Sequence, residues 1–108
     1  MSFQVFLTND AARDLEELYD YIASHDSLGK AEYVLDHIEK TFLSLQEFPA
    51  RGAFSKELLP LGIREYREVF FKPYRIIYRI IERNLYVMLI ADGRRDIYSL
   101  LRRRLLAV

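Results

Sequence analysis

The chain has 108 residues, with 16 Lys/Arg against 16 Asp/Glu and no cysteine. That length suits one domain over residues 1–108 with a single core, and the missing cysteines exclude disulfides, thiolate nucleophiles and cysteine-based metal sites. The zero net charge conceals a split: residues 1–62 carry 5 Lys/Arg against 11 Asp/Glu, and residues 63–108 carry 11 against 5. Such asymmetry suits a partner with a polarised surface, an anion bound by the basic half, or neutralisation of one half by the other.

The opening MSFQVFLTND has neither the basic start nor the long apolar run of a signal peptide, and no apolar run is long enough to span a bilayer. A soluble cytoplasmic protein is the expectation. Phe3, Val5 and Leu7 alternate as in a short strand, and Thr8, Asn9 and Asp10 follow as helix-capping candidates. From Ala11 the period changes. Leu15, Leu18, Tyr19 and Ile22 form the stripe of an amphipathic helix that ends near Ser24–Gly29. Ala31, Val34, Leu35, Ile38, Phe42, Leu45 and Phe48 predict a second helix running up to Pro49. The short connection favours an antiparallel helical hairpin. Residues 49–63 hold two prolines and two glycines and read as a loop pinned by Leu58, Leu59 and Leu61. Residues 64–71, 74–82 and 85–91 are rich in β-branched and aromatic residues. With turns at Lys72–Pro73 and Arg83–Asn84 they predict a three-stranded meander, which the opening strand joins as an edge. Ile97, Leu100, Leu101 and Leu105 place a short helix over residues 94–106. The expected fold class is therefore α+β: a helical hairpin packed on a mostly antiparallel four-stranded sheet, in the order β-α-α-β-β-β with a short C-terminal helix.

Phosphate-cradling glycine motifs, HExxH and cysteine clusters are all missing from the sequence, so no cofactor or metal is expected. His25 falls in the helix turn and His37 on the polar side of the second helix, where a solvated role is the plain expectation. Chemistry-bearing residues concentrate in the basic half. Strand alternation puts Arg75, Ile77, Arg79 and Ile81 on one face and Ile76, Tyr78 and Ile80 on the other. An arginine in a central strand needs either a carboxylate partner or an anion. Arg94 and Arg95 precede Tyr98, which on a continuous helix would share a face with Arg94. Such a set could hold RNA phosphate and move a proton, or could be structural. Arg102, Arg103 and Arg104 form either a basic helix end complementing the helix dipole or a contact for a nucleic acid or an acidic partner.

Three segments together resemble the RelE/ParE toxin superfamily. The first is the helix opening with Ala11, Asp14, Leu15, Leu18, Tyr21 and Ile22. The second joins Phe48–Gly52 to Leu61–Tyr66, and the third joins Tyr74–Ile80 to Ile90–Leu101. The resemblance spans nearly the whole chain in the right order. It implies a β-α-α-β-β-β core, no cofactor, and a cognate antitoxin encoded beside the toxin in a type II toxin–antitoxin system. The antitoxin of such pairs wraps its toxin with a helix and an extended segment.

Activity within the superfamily divides. RelE-like members cleave mRNA on the ribosome, and on that side the resemblance carries catalytic roles to Arg75, Arg94 and Tyr98. ParE-like members poison DNA gyrase by protein contact, leaving Arg79, Arg95, Arg102, Arg103 and Arg104 as partner-binding candidates. The D-G-R-R-D-I-x-x-L-L ending looks more like the ParE side, with Asp92 in place of the usual histidine. An acid there would repel RNA phosphate, and Lys72 is the only lysine in residues 63–108. These features favour a ParE-like growth inhibitor of the plasmid-stabilisation type over a ribosome-dependent endonuclease. They leave open a homodimer or a toxin–antitoxin hetero-oligomer.

Overall fold

Thr8 starts the first helix: its Oγ1 accepts the Ala11 N–H at 3.1 Å, fixing the cap that its place before the apolar stripe suggests. The computed structural model describes residues 3–106. Strand β1 (Gln4–Leu7) leads into α1 (Asn9–His25), and Ser27 caps α2 (Leu28–Leu43) by accepting the Lys30 N–H at 3.0 Å. Strands β2 (Ala53–Phe54), β3 (Tyr66–Phe71), β4 (Tyr74–Ile81) and β5 (Asn84–Asp92) follow, then α3 (Ile97–Leu106).

The sheet has five strands in the order β1-β5-β4-β3-β2. The expectation of four strands is corrected by β2, two residues of the Pro/Gly-rich loop that pair with Glu68 and Arg67 of β3. So short a strand has no room to show alternation. The meander is antiparallel, but β1 runs parallel to its neighbour β5, so the sheet is mixed. The helical hairpin between β1 and the meander is the crossover that parallel pairing requires.

Two cores flank the sheet. Leu15, Ile22, Val34, Ile38 and Phe42 of the hairpin pack on Val69, Ile76, Tyr78, Leu85, Val87 and Ile90. Ile97 and Leu101 of α3 pack on Tyr66, Ile77, Leu89 and Ala91 of the other face, beside Leu58. The alternation of β4 thus sorts its side chains as expected: Ile76 and Tyr78 toward the hairpin, Ile77 toward α3. Among the described residues no helix is long and apolar enough to cross a membrane.

Several boundaries differ from the sequence reading. Helix α2 stops at Leu43 and continues as a 3-10 turn over Ser44–Gln46, so Phe48 leaves the stripe and is 69% exposed. His37 is drawn off the polar side, its ring stacking on Phe71 at 5.0 Å and lying 4.2 Å from Tyr33. The second hairpin turns at Glu82–Arg83, since Ile81 pairs with Asn84, and Glu82 takes the left-handed conformation such turns use.

Candidate functional site

Strand β4 carries Arg75 into the sheet face beneath α3 and the turn that precedes it, where the arginine is 4% exposed. Two carboxylates meet it there. Its Nε donates to Glu68 Oε1 at 2.7 Å, and Nη1 and Nη2 donate to Glu57 at 2.7 and 2.6 Å. Nη2 also donates to Glu68 Oε1, so four of the five guanidinium N–H groups are engaged within the protein. The hydrogen bond from Arg75 holds the Glu57 carboxyl below the usual carboxylate range, against the opposing effect of burial. A buried arginine held by the buried Glu68 and the half-buried Glu57 is a structural junction: it joins β3, β4 and the loop after β2.

The turn above this junction is fixed by close approach. The Gly93 N–H donates to the Pro73 carbonyl at 2.8 Å, and a Cβ at Gly93 would lie 3.1 Å from Arg75 Cδ. Helix α3 begins only at Ile97, with Asp96 accepting the Ser99 N–H at 3.1 Å. The expected helix over 94–106 is corrected accordingly: Arg94 and Arg95 belong to the turn, and the shared helical face proposed for Arg94 and Tyr98 does not exist. Arg94 folds back on Asp92 instead. Its Nε and Nη2 donate to the two carboxylate oxygens at 3.0 and 2.6 Å, and its backbone N–H donates at 2.9 Å. The Arg94 hydrogen bond keeps the Asp92 carboxyl below its ordinary range. Burial raises the pKa of the neighbouring Tyr74, with Asp92 adding to the effect. Tyr98 stands exposed at the start of α3.

The remaining arginines separate into two kinds. Arg104 reaches from α3 to α1, donating to Asp14 at 2.7 and 2.5 Å and to the Met88 carbonyl at 2.9 Å. Asp14 also accepts the Ile90 N–H at 3.0 Å, so one carboxylate ties α1, β5 and α3 together. The sequence reading of Arg104 as a partner-facing residue thus meets a half-buried staple, and the dipole explanation gives way to a specific ion pair. Arg79 lies over the Tyr66 ring at 5.6 Å on the α3 side of the sheet. Arg95, Arg102 and Arg103 are exposed and have no ion-pair partner among the described residues.

Between α1, the end of β5 and α3 lie two adjoining concavities. One, of about 390 Å³, is lined by Asp10, Arg13, Asp14, Glu17 and Leu89 with Arg95, Leu100, Arg103 and Arg104. The other, of about 530 Å³, takes in Leu18, Tyr21, Ile22, Tyr74, Ile90 and Ala91 with Asp92, Arg94 and Arg95. Among the described residues no group of three or more His, Cys, Asp or Glu is placed to hold a metal.

Sequence reasoning named Asp14 in the first resembling segment but missed its ion-pairing role, and it missed Glu57 and Glu68 altogether as partners of Arg75. The partners of Asp14 and Glu57 lie 90 and 18 residues along the chain, whereas Glu68 lies seven residues from Arg75 across the β3–β4 hairpin, where strand pairing was the available signal. It also missed the clamp on Tyr78, whose buried hydroxyl donates to the Pro49 carbonyl at 2.7 Å and accepts the Gly52 N–H at 3.0 Å. A Cβ at Gly52 would sit 2.6 Å from the Glu68 carbonyl oxygen, so the Phe48–Gly52 motif is read as a glycine placed for close approach.

Residues 5–97 match the family model described as the ParE toxin of the type II toxin–antitoxin system parDE. The chain belongs to the ParE toxin family. Toxin ParE3 of Caulobacter vibrioides is 27% identical over 94 residues, covering 87% of this chain and 90% of that protein. Among solved structures, the chromosomal ParDE toxin–antitoxin system of P. aeruginosa superimposes with a TM-score of 0.70 at 20% identity, over 84% of this chain and 96% of that one. The RelBE2 toxin–antitoxin complex of Mycobacterium tuberculosis gives 0.63 at 19% identity, over 85% and 99%. A free RelE mutant of E. coli gives 0.66 at 14% identity, over 98% and 100%. At these identities the structures speak to the shared fold. The ParE-family match takes in Arg75, Arg79, Arg94 and Arg95 and stops before Tyr98 and Arg102–Arg104.

Proposed function

We propose that this ParE-family toxin inhibits DNA gyrase by protein–protein contact and is neutralised by a cognate antitoxin. The observation that carries this reading is the internal engagement of the two arginines that phosphate chemistry would require. Arg75 is held between Glu57 and Glu68, and Arg94 lies against both oxygens of Asp92. Phosphate would have to displace a carboxylate at each position, and a carboxylate beside the site repels the incoming anion. Protein recognition makes no such demand. It can use the exposed Arg95, Arg102 and Arg103, with Arg79 over the Tyr66 ring on the same side of the sheet, while Arg75 and Arg104 hold the scaffold. Arginines on an otherwise mixed surface are the residue type enriched at protein interfaces. The antitoxin assignment is supported by the toxin–antitoxin assemblies to which this fold is similar.

Supercoiling by purified gyrase, assayed with rising toxin, is the test. Inhibition that added antitoxin relieves is expected, and full supercoiling at stoichiometric excess of toxin would reject the reading. A translation extract provides the opposite arm. Ribosome-dependent mRNA cleavage abolished by Tyr98→Phe would place the chain with the RelE-like nucleases instead.

A further inference from the structure

Phe6, Tyr86, Arg79 and Tyr66 stand in one row across four strands. Phe6 pairs with Tyr86, Tyr86 with Arg79 and Arg79 with Tyr66, so the four side chains share one face of the sheet. That face is the α3 side, since the alternating Val5, Leu7, Leu85 and Val87 pack in the hairpin core. Of the four, only Tyr66 is packed under α3. At the other end Phe6 is exposed on the edge strand β1, and its ring stacks on Tyr86 at 5.5 Å. The next row, Gln4, Asn84 and Ile81, is also in register and uncharged. Arg79 is the one charged residue among these seven, and it makes no ion pair among the described residues. The last turn of α3 closes on this area. Arg104 donates to the Met88 carbonyl at 2.9 Å, two residues along β5 from Tyr86, and its neighbours Arg102 and Arg103 are exposed.

A stacked aromatic pair bordered by arginines has the make-up of an interface centre with its rim. The exposed arginines of the proposed gyrase contact supply only the rim. Charges that stay in water contribute modestly, and the larger share of binding comes from aromatic anchors at the centre. Two copies of the chain meeting on this face would set Arg79 and the α3 arginines against their own likes, which disfavours a second copy as the occupant.

We infer that Phe6 and Tyr86 are the apolar anchor of the gyrase contact. The gyrase surface that fits presents an apolar side chain to the two rings and carboxylates to Arg79, Arg102 and Arg103. The inference rests on the gyrase reading and adds where that contact is centred and what chemistry the gyrase surface carries.

Titration of toxin variants against purified gyrase, read as affinity and as the toxin dose that halves supercoiling, tests it. Phe6→Ala and Tyr86→Ala should each weaken gyrase binding by roughly tenfold or more, as truncation of an interface anchor does. Tyr33→Ala on α2 and Phe48→Ala after the 3-10 turn remove rings that are more exposed than Phe6, and should leave affinity within about threefold. Should an alanine disturb folding in a thermal melt, Phe6→Thr and Tyr86→Thr keep the strand preference and provide the same comparison. The row variants should bind antitoxin as wild type does, a readout that general damage to the fold would move. Row variants that keep wild-type gyrase affinity overturn the anchor and leave the gyrase reading standing. Row variants that lose antitoxin affinity, instead or as well, overturn it by removing its specificity for gyrase. A wild-type dimer in sedimentation that Phe6→Ala splits overturns it in favour of a second copy. Absence of wild-type gyrase binding overturns both the anchor and the reading beneath it.

Discussion

The two faces of the sheet are built on different physics. The hairpin side is an apolar core into which Tyr78 brings a buried hydroxyl, held by Pro49 and Gly52. The α3 side encloses a charged junction, Arg75 with Glu57 and Glu68, and is tied down at its margin by Asp14 and Arg104. Hydrophobic burial needs no particular partner, whereas each buried charge depends on a specific one. The α3 side is therefore the more sensitive to single substitutions.

The largest effect is expected from breaking the junction. Arg75→Ala leaves the buried Glu68 and the half-buried Glu57 without their cation and should lower stability by about 3–5 kcal/mol, measured as the midpoint shift in urea. The junction also sets an acid limit. Because the folded state holds Glu57 below its ordinary pKa of 4.5, its contribution is present above that value and is lost as the pH falls through the lower folded value. A urea midpoint that falls on acidification below about pH 5, less steeply in Glu57→Gln, is the expected outcome.

On the hairpin side, Tyr78→Phe removes one hydroxyl and strands the buried Gly52 N–H, at a cost of about 1–3 kcal/mol. Burial raises the pKa of Tyr78 above 10.0, so the stability it confers is present below that value and is lost as the pH rises through the higher folded value. Asp14→Asn weakens the staple and should cost about 1–3 kcal/mol, with faster amide exchange confined first to α3. Equal exchange across α1 and α3 would show that the staple does not organise that margin. The smallest effect belongs to Asp92→Ala, which releases a solvent-exposed Arg94 and should leave the urea midpoint unchanged.

The comparison also separates what was legible in the sequence from what was not. The stripe of Leu15 and Ile22 and the alternation of Ile76, Ile77 and Tyr78 are periodic, so helix and strand faces could be read directly. β2 is too short for a period, and α3 starts late because Gly93 and Asp96 fix a turn, a signal present in the sequence but outweighed by the run of apolar spacing after it. The site was half legible. The need of Arg75 for a partner followed from its central strand position, but Glu57 lies 18 residues away, and only the folded chain brings the two together. Which arginines face outward could not be derived from composition, because Arg103 and Arg104 are neighbours with opposite roles.

The most direct measurement of the central claim is the response of the native host to toxin induced without antitoxin. An inhibitor of gyrase predicts filamented cells with an SOS response while protein synthesis continues. An abrupt stop in translation before any sign of DNA damage would contradict it.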